Sequence, residues 1–552
     1  MQRLGAILTA GLMVVAATAA EARDTLRIGV SQFPSTLHPN IDSMLAKTYV
    51  RSMTLRPFTG FGPDWELRCF TCTELPTLEN GLAERVERDD GSVGVKLTYT
   101  IHPDATWGDG VPVSTDDVLF TWRFGQHPDS GVANREIFTN ILDIEVVDAK
   151  TFTLEIDKLR FNYNAINGFL LLPAHVEAEV FDADPASYRN RTTFDTDPTH
   201  PGLAFGPYRV AEVRTGEYVV LERNPTWYGA APAFERIVVQ TIENTPALEA
   251  NLLAGSLDMI AGELGLPLEQ ALAFEQRHGA RFQVHYETGL IYEHLEANLD
   301  NPIFQDRRVR QALLYAIDRE AMTERLFDGR QPVARTNVNP LDWVHDDGVP
   351  TYRRDVARAA ELLAEAGWTP GRDGVRVNEA GERLSFEFST TAGNRSRELV
   401  QQFLQAQWAE LGIEATIRNL PPRVLFAEHL SRRQFPGMAL FAWISAPESP
   451  PKTTLHSTMI PTADNAWSGQ NYTGFADPRV DELIEAIEVE LDREIRLELW
   501  SELQHLYATE LPALPLFFRA NAHIWPTWLE GVTPTGHMDV STLFVEDWRP
   551  AD

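Results

Sequence analysis

The chain has 552 residues, 43% of them hydrophobic and 23% charged, which is typical of a soluble globular protein with two to four domains. Its formal net charge is −31 and its isoelectric point is near 4.8. Nucleic acid and anionic lipid would repel a protein of this charge, so both are excluded as main partners.

The first 22 residues have the layout of a cleavable secretory signal. Arg3 and the α-amino group precede an apolar run over residues 4–17, and small residues follow between Thr18 and Ala22. The run is too short to span a membrane comfortably. We therefore expect residues 1–22 to be removed on export, leaving a soluble periplasmic protein.

The first half of the mature chain reads as rich in strands, with few helical patterns. A β pattern begins at Thr25, in "TLRIGVSQF", and alternating segments of half-buried strands follow it. We predict strands over residues 95–101, 151–156, 218–222 and 236–242.

The two cysteines, Cys69 and Cys72, lie in "RCFTCTELP". In an exported protein we expect them to form a small local disulfide. Redox exchange and half of a metal site stay as alternatives. A redox CxxC usually opens a helix, whereas Pro76 and Gly81 make this region look like a loop, and no second cysteine pair exists for zinc.

The stretch "TWGDGVPVSTDDVLFTW", residues 106–122, concentrates carboxylates, tryptophans and glycines. The "GDG" of residues 108–110 predicts a tight turn. Ser114 predicts a helix N-cap, and Asp117 stands three residues later, at capping-box spacing. No base or nucleophile accompanies these carboxylates, so we assign them a structural role and not a catalytic one.

The second half of the chain alternates helices and strands. "DRRVRQALLYAIDREAM" and "VARAAELLAEAGW" are amphipathic helices, the latter with Gly367 at the position of a left-handed cap. A further helix stops at Gly412 before a strand, and residues 438–444 predict a buried strand. The alternation predicts an α/β fold in which helices cover a sheet.

The sequence contains no local catalytic motif: G-x-S-x-G, H-E-x-x-H and the Walker phosphate loop are all missing. The histidines are scattered, with no metal-ligand spacing. We therefore expect neither an enzyme, nor a metal site, nor a cofactor. A secreted hydrolase whose site is assembled from distant residues stays as the alternative of another class.

Several segments, in one order, resemble the extracytoplasmic solute-binding proteins of ABC importers, in the peptide/nickel/opine class. The resemblance covers nearly the whole mature chain. It is carried by residues 106–122 and by "GPYRV", "LERNPTWYG", "ANLDNPIFQDRRVRQALLYAIDRE", "AAELLAEAGW" and "NYTGFADPRVDELI".

This resemblance implies a fold of two lobes that close over a ligand, the type II class of large peptide-binding proteins. The first lobe would comprise residues 23–288, with a β-rich extra subdomain at about 60–190, and residues 511–552. The second lobe would comprise residues 289–510. The implied partners are a small solute and an ABC permease with its ATPase subunits, and the protein itself would be a monomer.

The resemblance also implies where a ligand would bind. Dipeptide-binding relatives hold the ligand's ammonium with an aspartate three residues after a tryptophan; Trp443 matches that tryptophan, and the aspartate position falls on Ala446. The arginine that binds the peptide carboxylate is missing too. Glu448 could substitute for the aspartate from nearby, and Arg395 could substitute for the arginine. Our candidate ligand-binding residues are Phe33, Asn394, Trp443, Glu448, Trp467 and Asn471.

A buried ammonium without a counter-charge costs several kcal/mol. We therefore expect the cleft to reject free dipeptides and to take a longer or modified peptide. A non-peptide solute such as a sugar or opine conjugate is the alternative within this class.

Overall fold

The computed structural model describes residues 23–465 and 467–551, without the side chains of Arg423 and Ala427. The predicted signal, residues 1–22, lies outside the described residues. Within them the chain forms twenty strands: β1 Thr25–Val30, β2 Thr59–Phe61, β3 Leu67–Cys69, β4 Ala83–Glu87, β5 Val93–Thr100, β6 Ile141–Val146, β7 Thr151–Ile156, β8 Tyr208–Arg214, β9 Tyr218–Arg223, β10 Arg236–Thr241, β11 Met259–Ile260, β12 Phe282–Ala297, β13 Thr369–Pro370, β14 Arg376–Val377, β15 Ser385–Thr390, β16 Glu414–Ile417, β17 Met438–Ile444, β18 Ala513–Pro526, β19 Leu529–Glu530 and β20 Arg549–Pro550.

The helices alternate with these strands, and the two longest lie in the second half of the chain. None of the described helices is both long enough and apolar enough to cross a membrane. The helices are α1 Leu45–Thr54, α2 Thr115–Gln126, α3 Glu136–Thr139, α4 Ala174–Ala183, α5 Thr193–Thr196, α6 Thr245–Ala254, α7 Leu268–His278, α8 Pro302–Gln305, α9 Arg307–Tyr315, α10 Arg319–Phe327, α11 Val356–Glu365, α12 Arg395–Glu410, α13 Pro422–Val424, α14 Lys452–Leu455, α15 Pro478–Val489 and α16 Arg493–Glu510.

The first half holds more helix than its sequence predicts. Its longer helices have ten to twelve residues. In α6 the helical pattern is weak, because the buried side chains are Leu248 and Leu252 alone. In α1 the buried Tyr49, Val50 and Met53 recur at helical spacing, so this helix was overlooked although its sequence carries the signal.

One mixed sheet of ten strands runs through both lobes, in the order β16-β15-β17-β12-β18-β11-β1-β10-β9-β8. Its central pair, β12 and β18, is antiparallel and longer than its neighbours. On one side β17 and β15 extend the sheet into the second lobe, and on the other β11 and β1 extend it into the first. The two lobes are therefore joined by the middle of a continuous sheet.

The pairing of β12 with β18 is interrupted at its centre. Thr288 is paired with Ala520, and regular pairing resumes only at Tyr292, opposite Phe518. This interruption lies at the predicted crossover between the lobes. The exact lobe boundaries, at residues 288 and 510, stay a prediction.

The β-rich extra subdomain has its own four-stranded sheet, in the order β4-β5-β7-β6. A buried apolar cluster beneath this sheet includes Phe58, Leu97, Trp107 and Phe152. A separate and larger cluster in the second lobe gathers residues from α9, α11, α12 and β15. Each part of the molecule therefore has its own core.

Cys69 and Cys72 are joined in a disulfide, with their Cα atoms 5.2 Å apart. Cys69 is the last residue of β3, which pairs with β2, so the segment predicted as a loop begins within a hairpin. The three-residue strand is too short for sequence alternation to reveal it.

The stretch at residues 106–122 folds as predicted. Gly110 has φ 92° and closes a turn on the Trp107 carbonyl. Ser114 and Asp117 form a capping box at the start of α2. The Asp117 carboxylate also accepts hydrogen bonds from Trp107 Nε1 at 3.0 Å and from the Ala174 amide at 2.8 Å. This side chain therefore ties together three segments of the subdomain.

We predict that Asp117→Ala destabilises the protein by about 3 to 5 kcal/mol, because one buried and two partly buried donors lose their acceptor at once. Urea unfolding followed by circular dichroism measures this loss. The control is Asp116→Ala in the same helical turn, whose exposed side chain affects only the helix dipole, for a loss below about 1 kcal/mol. Equal losses in the two variants would contradict the assigned role of Asp117.

Candidate functional site

Three cavities lie along the second lobe where it faces the first. Together with the open solvent at its mouth, chamber A comprises about 870 Å³, chamber B about 1100 Å³ and chamber C about 1060 Å³. The residues that define them are Tyr292, His294, Glu296, Asp342 and Trp443 for chamber A; Phe61, Trp65, Phe161, Trp343, Glu448 and Arg496 for chamber B; and Glu269, Glu293, Asn394, Arg397 and Arg519 for chamber C.

Chambers A and B are adjacent, because Ala446, Ser449 and Pro450 line both. Chamber B spans the extra subdomain and the second lobe. Chamber C is bounded by the loop before α7 in the first lobe and by the start of α12 in the second. Chambers B and C therefore lie between the lobes, and chamber A adjoins chamber B on the side of the second lobe.

Chamber A is built on one face of β12 and β17. Side chains alternate along a strand, so Tyr292, His294 and Glu296 share a face, and Trp443 of β17 lies opposite Tyr292. Trp443 Nε1 donates a hydrogen bond to Oε1 of Glu296 at 3.1 Å, and His294 Nε2 lies 3.2 Å from the same oxygen. The chamber thus combines an aromatic wall with a fixed carboxylate.

A second carboxylate of chamber A, Asp342, is held by backbone amides. Its oxygens accept from the amides of Glu448 at 2.7 Å and Val344 at 3.4 Å. Burial raises the pKa of Asp342 to about 6, and the nearby Glu448 carboxylate adds to this rise. Asp342 therefore fixes the loop that carries Glu448 along the boundary with chamber B.

Chamber B contains a paired glutamate and aromatic rings. Glu448 accepts from Trp343 Nε1 at 2.9 Å and is in contact with the Arg496 guanidinium. The same guanidinium lies over the ring of Phe161, which belongs to the extra subdomain, at 4.9 Å. Arg496 thus contacts both sides of the cleft.

Chamber C lies on the opposite face of β12 and contains a buried ion cluster. Glu293 is in contact with Arg519 and lies 3.1 Å from Nη2 of Arg397. Burial alone would raise the pKa of Glu293, but the charges of Arg519 and Arg397 outweigh it and hold that pKa below its usual range. With Arg395 and Glu269 also on its wall, chamber C has one more positive than negative side chain.

Strand β17 presents an open edge between chambers A and C. In the described part of the chain, β15 pairs with β17 only along Met438–Leu440. The Asn298 amide donates to the Gly437 carbonyl, so odd-numbered residues of β17 hydrogen-bond to β12 and even-numbered residues face the other way. The backbone groups of Ala442 and Ile444 therefore point away from β12, on the side where β15 no longer pairs, and Ile444 is 59% exposed.

Three of the six sequence candidates lie around the chambers. Trp443 lines chamber A and Glu448 lines chamber B. Asn394 lines chamber C, where its side chain caps α12 by accepting from the Arg397 amide at 3.1 Å. Arg395, the proposed substitute anchor, lines chamber C as well.

The described residues around the three chambers do not include Phe33, Trp467 or Asn471. Phe33 packs against the core of the first lobe. Trp467 lies in a turn and is 38% exposed. Asn471 is fully buried, and its side-chain amide donates to three backbone carbonyls of the surrounding turns. The geometry gives these three residues packing and turn roles; whether any contacts a ligand stays a prediction.

Sequence reasoning missed His294, Glu296 and Asp342. A signal was available for the first two, because "YEHLEAN" places charged and polar side chains within a strand that the resemblance puts at the centre of the fold. Among the described residues, no group of three or more His, Cys, Asp or Glu side chains is placed to hold a metal ion.

An ion-pair cluster joins the two sides of the cleft next to chamber B. Glu488 of α15 accepts from Lys158 at 3.1 Å and Lys452 at 2.9 Å, and Arg160 lies 3.4 Å from its other oxygen. Lys158 and Arg160 belong to the extra subdomain, whereas Glu488 and Lys452 belong to the second lobe. These contacts hold the lobes together on this side.

The fold and its interlobe cleft define a two-lobed binding protein of the type II periplasmic class. The chain belongs to the bacterial extracellular solute-binding proteins, family 5, since the profile of this family's middle region matches residues 77–466.

Among related proteins, the oligopeptide-binding protein AppA of Bacillus subtilis is 24% identical over 455 residues, covering 82% of this chain and 80% of the relative. A crystal structure of the oligopeptide-binding protein of Thermus thermophilus with a pentapeptide is 29% identical, with a TM-score of 0.70 over 95% of this chain and 96% of that one. The NikZ protein of Campylobacter jejuni, solved with Ni(L-His), shares the fold, with 22% identity, a TM-score of 0.73 and coverage of 96% and 99%.

We predict that Glu488→Gln favours separation of the lobes on the side of chamber B. Burial opposes ionisation of Glu488, but hydrogen bonds from Lys452 and Lys158 lower its pKa to about 2. A carboxyl with a lowered pKa stabilises the paired state above its ordinary pKa of about 4.3, and this contribution is lost as the pH falls through the lowered value. Wild type at neutral pH therefore retains the contact, whereas acidification toward pH 2 weakens it.

The measurement is the distribution of distances between two spin labels, obtained by electron paramagnetic resonance. The labels are attached to the cysteines introduced by Glu145→Cys and Glu482→Cys. At neutral pH, Glu488→Gln should shift the distribution toward longer distances, as acidification does in the wild type. The matched control, Glu498→Gln, removes an exposed carboxylate of the same lobe and should change nothing. An unchanged distribution in Glu488→Gln would refute the prediction.

Proposed function

We propose that this protein is the periplasmic substrate-binding component of an ABC importer and that it captures a peptide in the interlobe cleft. The observation that carries the proposal is the open edge of β17 between chambers A and C. An extended peptide adds readily to such an edge, because it offers the backbone donors and acceptors that the edge lacks.

A peptide in this position extends the second-lobe sheet where β15 ends. Its main chain hydrogen-bonds to Ala442 and Ile444, and its side chains alternate between the two faces of the sheet. Chamber A receives the side chains on one face and chamber C those on the other. Main-chain bonding supplies affinity for many sequences, and the chambers set preferences among them.

The comparisons support a peptide as ligand. AppA is named an oligopeptide-binding protein, and the Thermus thermophilus protein was crystallised with a pentapeptide. The latter is 29% identical over almost the full length of both chains. A peptide of several residues also suits a cleft with three chambers better than a dipeptide does.

Ala446 is exposed on the wall that chambers A and B share, at the position where the resemblance expects an ammonium-binding aspartate. Its methyl group offers no charge to the amino terminus of a dipeptide. We therefore propose that the protein discriminates against free dipeptides and takes longer peptides.

The protein delivers its ligand after the two lobes have closed over it. Ligand contacts from both lobes stabilise the closed form, and this form docks on a membrane permease. Separate ATPase subunits supply the energy of transport. The chain itself binds and releases its ligand unchanged. Release of a cleaved ligand would instead favour the hydrolase alternative.

The experiment is mass spectrometry of molecules that co-purify with the protein from the periplasm, followed by calorimetry with the peptides identified. We expect intact peptides longer than two residues, with one peptide bound per protein molecule and recovered uncleaved. Co-purification of a sugar or opine conjugate alone, or tight binding of many free dipeptides, would contradict the proposal.

Trp443 provides a matched pair of variants. We expect Trp443→Ala to weaken peptide binding roughly tenfold or more, because a rigid ring in a desolvated pocket typically dominates such contacts. Trp467→Ala removes the same side chain from an exposed turn and should leave the affinity unchanged. Calorimetry measures the peptide affinity of both variants. A loss of affinity in Trp467→Ala alone would place the ligand away from chamber A.

A further inference from the structure

One oxygen of Glu296 has no partner although it is buried. The Glu296 side chain is 4% exposed, and its Oε2 atom accepts no hydrogen bond in the described structure. Buried carboxylate oxygens normally accept hydrogen bonds, because burying a charge without a partner costs free energy. Glu296 is among the residues that line chamber A, so a ligand group that enters the chamber can approach this carboxylate.

The other oxygen holds the carboxylate in place. Oε1 lies 3.1 Å from Trp443 Nε1 and 3.2 Å from His294 Nε2, and His294 itself is fixed by its stacking on Tyr292. The carboxylate therefore cannot turn away to find another partner. Its orientation is set before any ligand arrives, which reduces the entropic cost of binding.

Chamber A offers no cation of its own. Among the described residues that line it there is no lysine or arginine, and its other carboxylate, Asp342, is already held by backbone amides. The contrast with the opposite face of β12 is direct, since Glu293 contacts two arginines there. The missing partner of Glu296 must therefore come from outside the protein.

We propose that Oε2 of Glu296 binds a cationic nitrogen of the captured peptide, an ammonium or a guanidinium. This inference rests on the proposed function and names the class of peptide that the cleft prefers. The surrounding rings of Tyr292, Trp443 and Tyr507 suit the apolar stem of a lysine or arginine side chain and attract the charge at its end.

Two sources within a peptide supply such a nitrogen: a lysine or arginine side chain, or the free amino terminus. Pentapeptide libraries separate them. Each library fixes one position as Lys, Arg, Gln or Leu, mixes the remaining positions, and is prepared with a free or an acetylated amino terminus. Binding to the full-length mature protein is measured by competition and mass spectrometry.

The wild type should prefer Lys or Arg over Gln at one position by roughly ten- to hundredfold, the usual strength of a charge-assisted hydrogen bond. If this preference survives acetylation, the side chain is the source. If acetylation of the amino terminus weakens binding and no position prefers Lys, the amino terminus is the source of the cationic nitrogen. Either result supports the inference, provided that Glu296→Gln removes the preference.

Glu296→Gln keeps an acceptor for Trp443 and removes only the charge, so its thermal unfolding without peptide should stay close to that of the wild type. Glu482→Gln, an exposed carboxylate on α15, should keep the wild-type preference. If Glu296→Gln folds poorly, the wild type alone, measured with Lys against Gln and with free against acetylated amino termini, still tests whether the cleft prefers a cationic nitrogen.

Tight binding of peptides with no preference for Lys or Arg at any position, and none for a free over an acetylated amino terminus, would overturn this inference and leave the proposed function standing; a water molecule would then satisfy Oε2. A preference that persists in Glu296→Gln would also overturn it. Failure of every library to bind the wild type would overturn the proposed function and this inference together.

Discussion

A strand that ends early determines how this protein can use its cleft. Strand β15 stays paired with β17 only to Leu440, and beyond that point the backbone groups of Ala442 and Ile444 face open space between the lobes. Backbone donors and acceptors must find partners. We propose that water is their partner in the open protein and that the main chain of a peptide replaces it in the closed protein. Because every peptide has the same main chain, such an edge would bind peptides of many sequences.

Charge then distinguishes the two faces of the same strand. Glu293 and Glu296 lie three residues apart on β12 and point to opposite sides, and both are buried. Glu293 forms ion pairs with Arg397 and Arg519, which stabilise the chamber in which it lies. Among the described residues, Glu296 has hydrogen-bond partners for one of its two carboxylate oxygens only. The first is a completed structural cluster, and the second is the site where we propose that the ligand supplies the last partner.

Much of the fold could be predicted because its signals are local. Strand Thr151–Ile156 has the bounds that alternation indicated, and strand Met438–Ile444 has those of its apolar run. The capping box at Ser114 follows from spacing alone. The cleft could not be predicted in this way. Its chambers arise where segments distant in the chain pair or pack, so Asn471 resembled a ligand contact but supports a turn. Glu296 was overlooked because its meaning depends on what surrounds it.

Hydrogen exchange of the β17 amides tests the central claim most directly. Mature protein is exposed to deuterated buffer with and without a co-purified peptide, and residues 441–446 are compared with residues 438–440. We predict that the peptide slows exchange in the first segment, at the amides of Ala442 and Ile444, while the already paired second segment changes little. Unchanged exchange in residues 441–446 with the peptide bound at saturation would contradict the account.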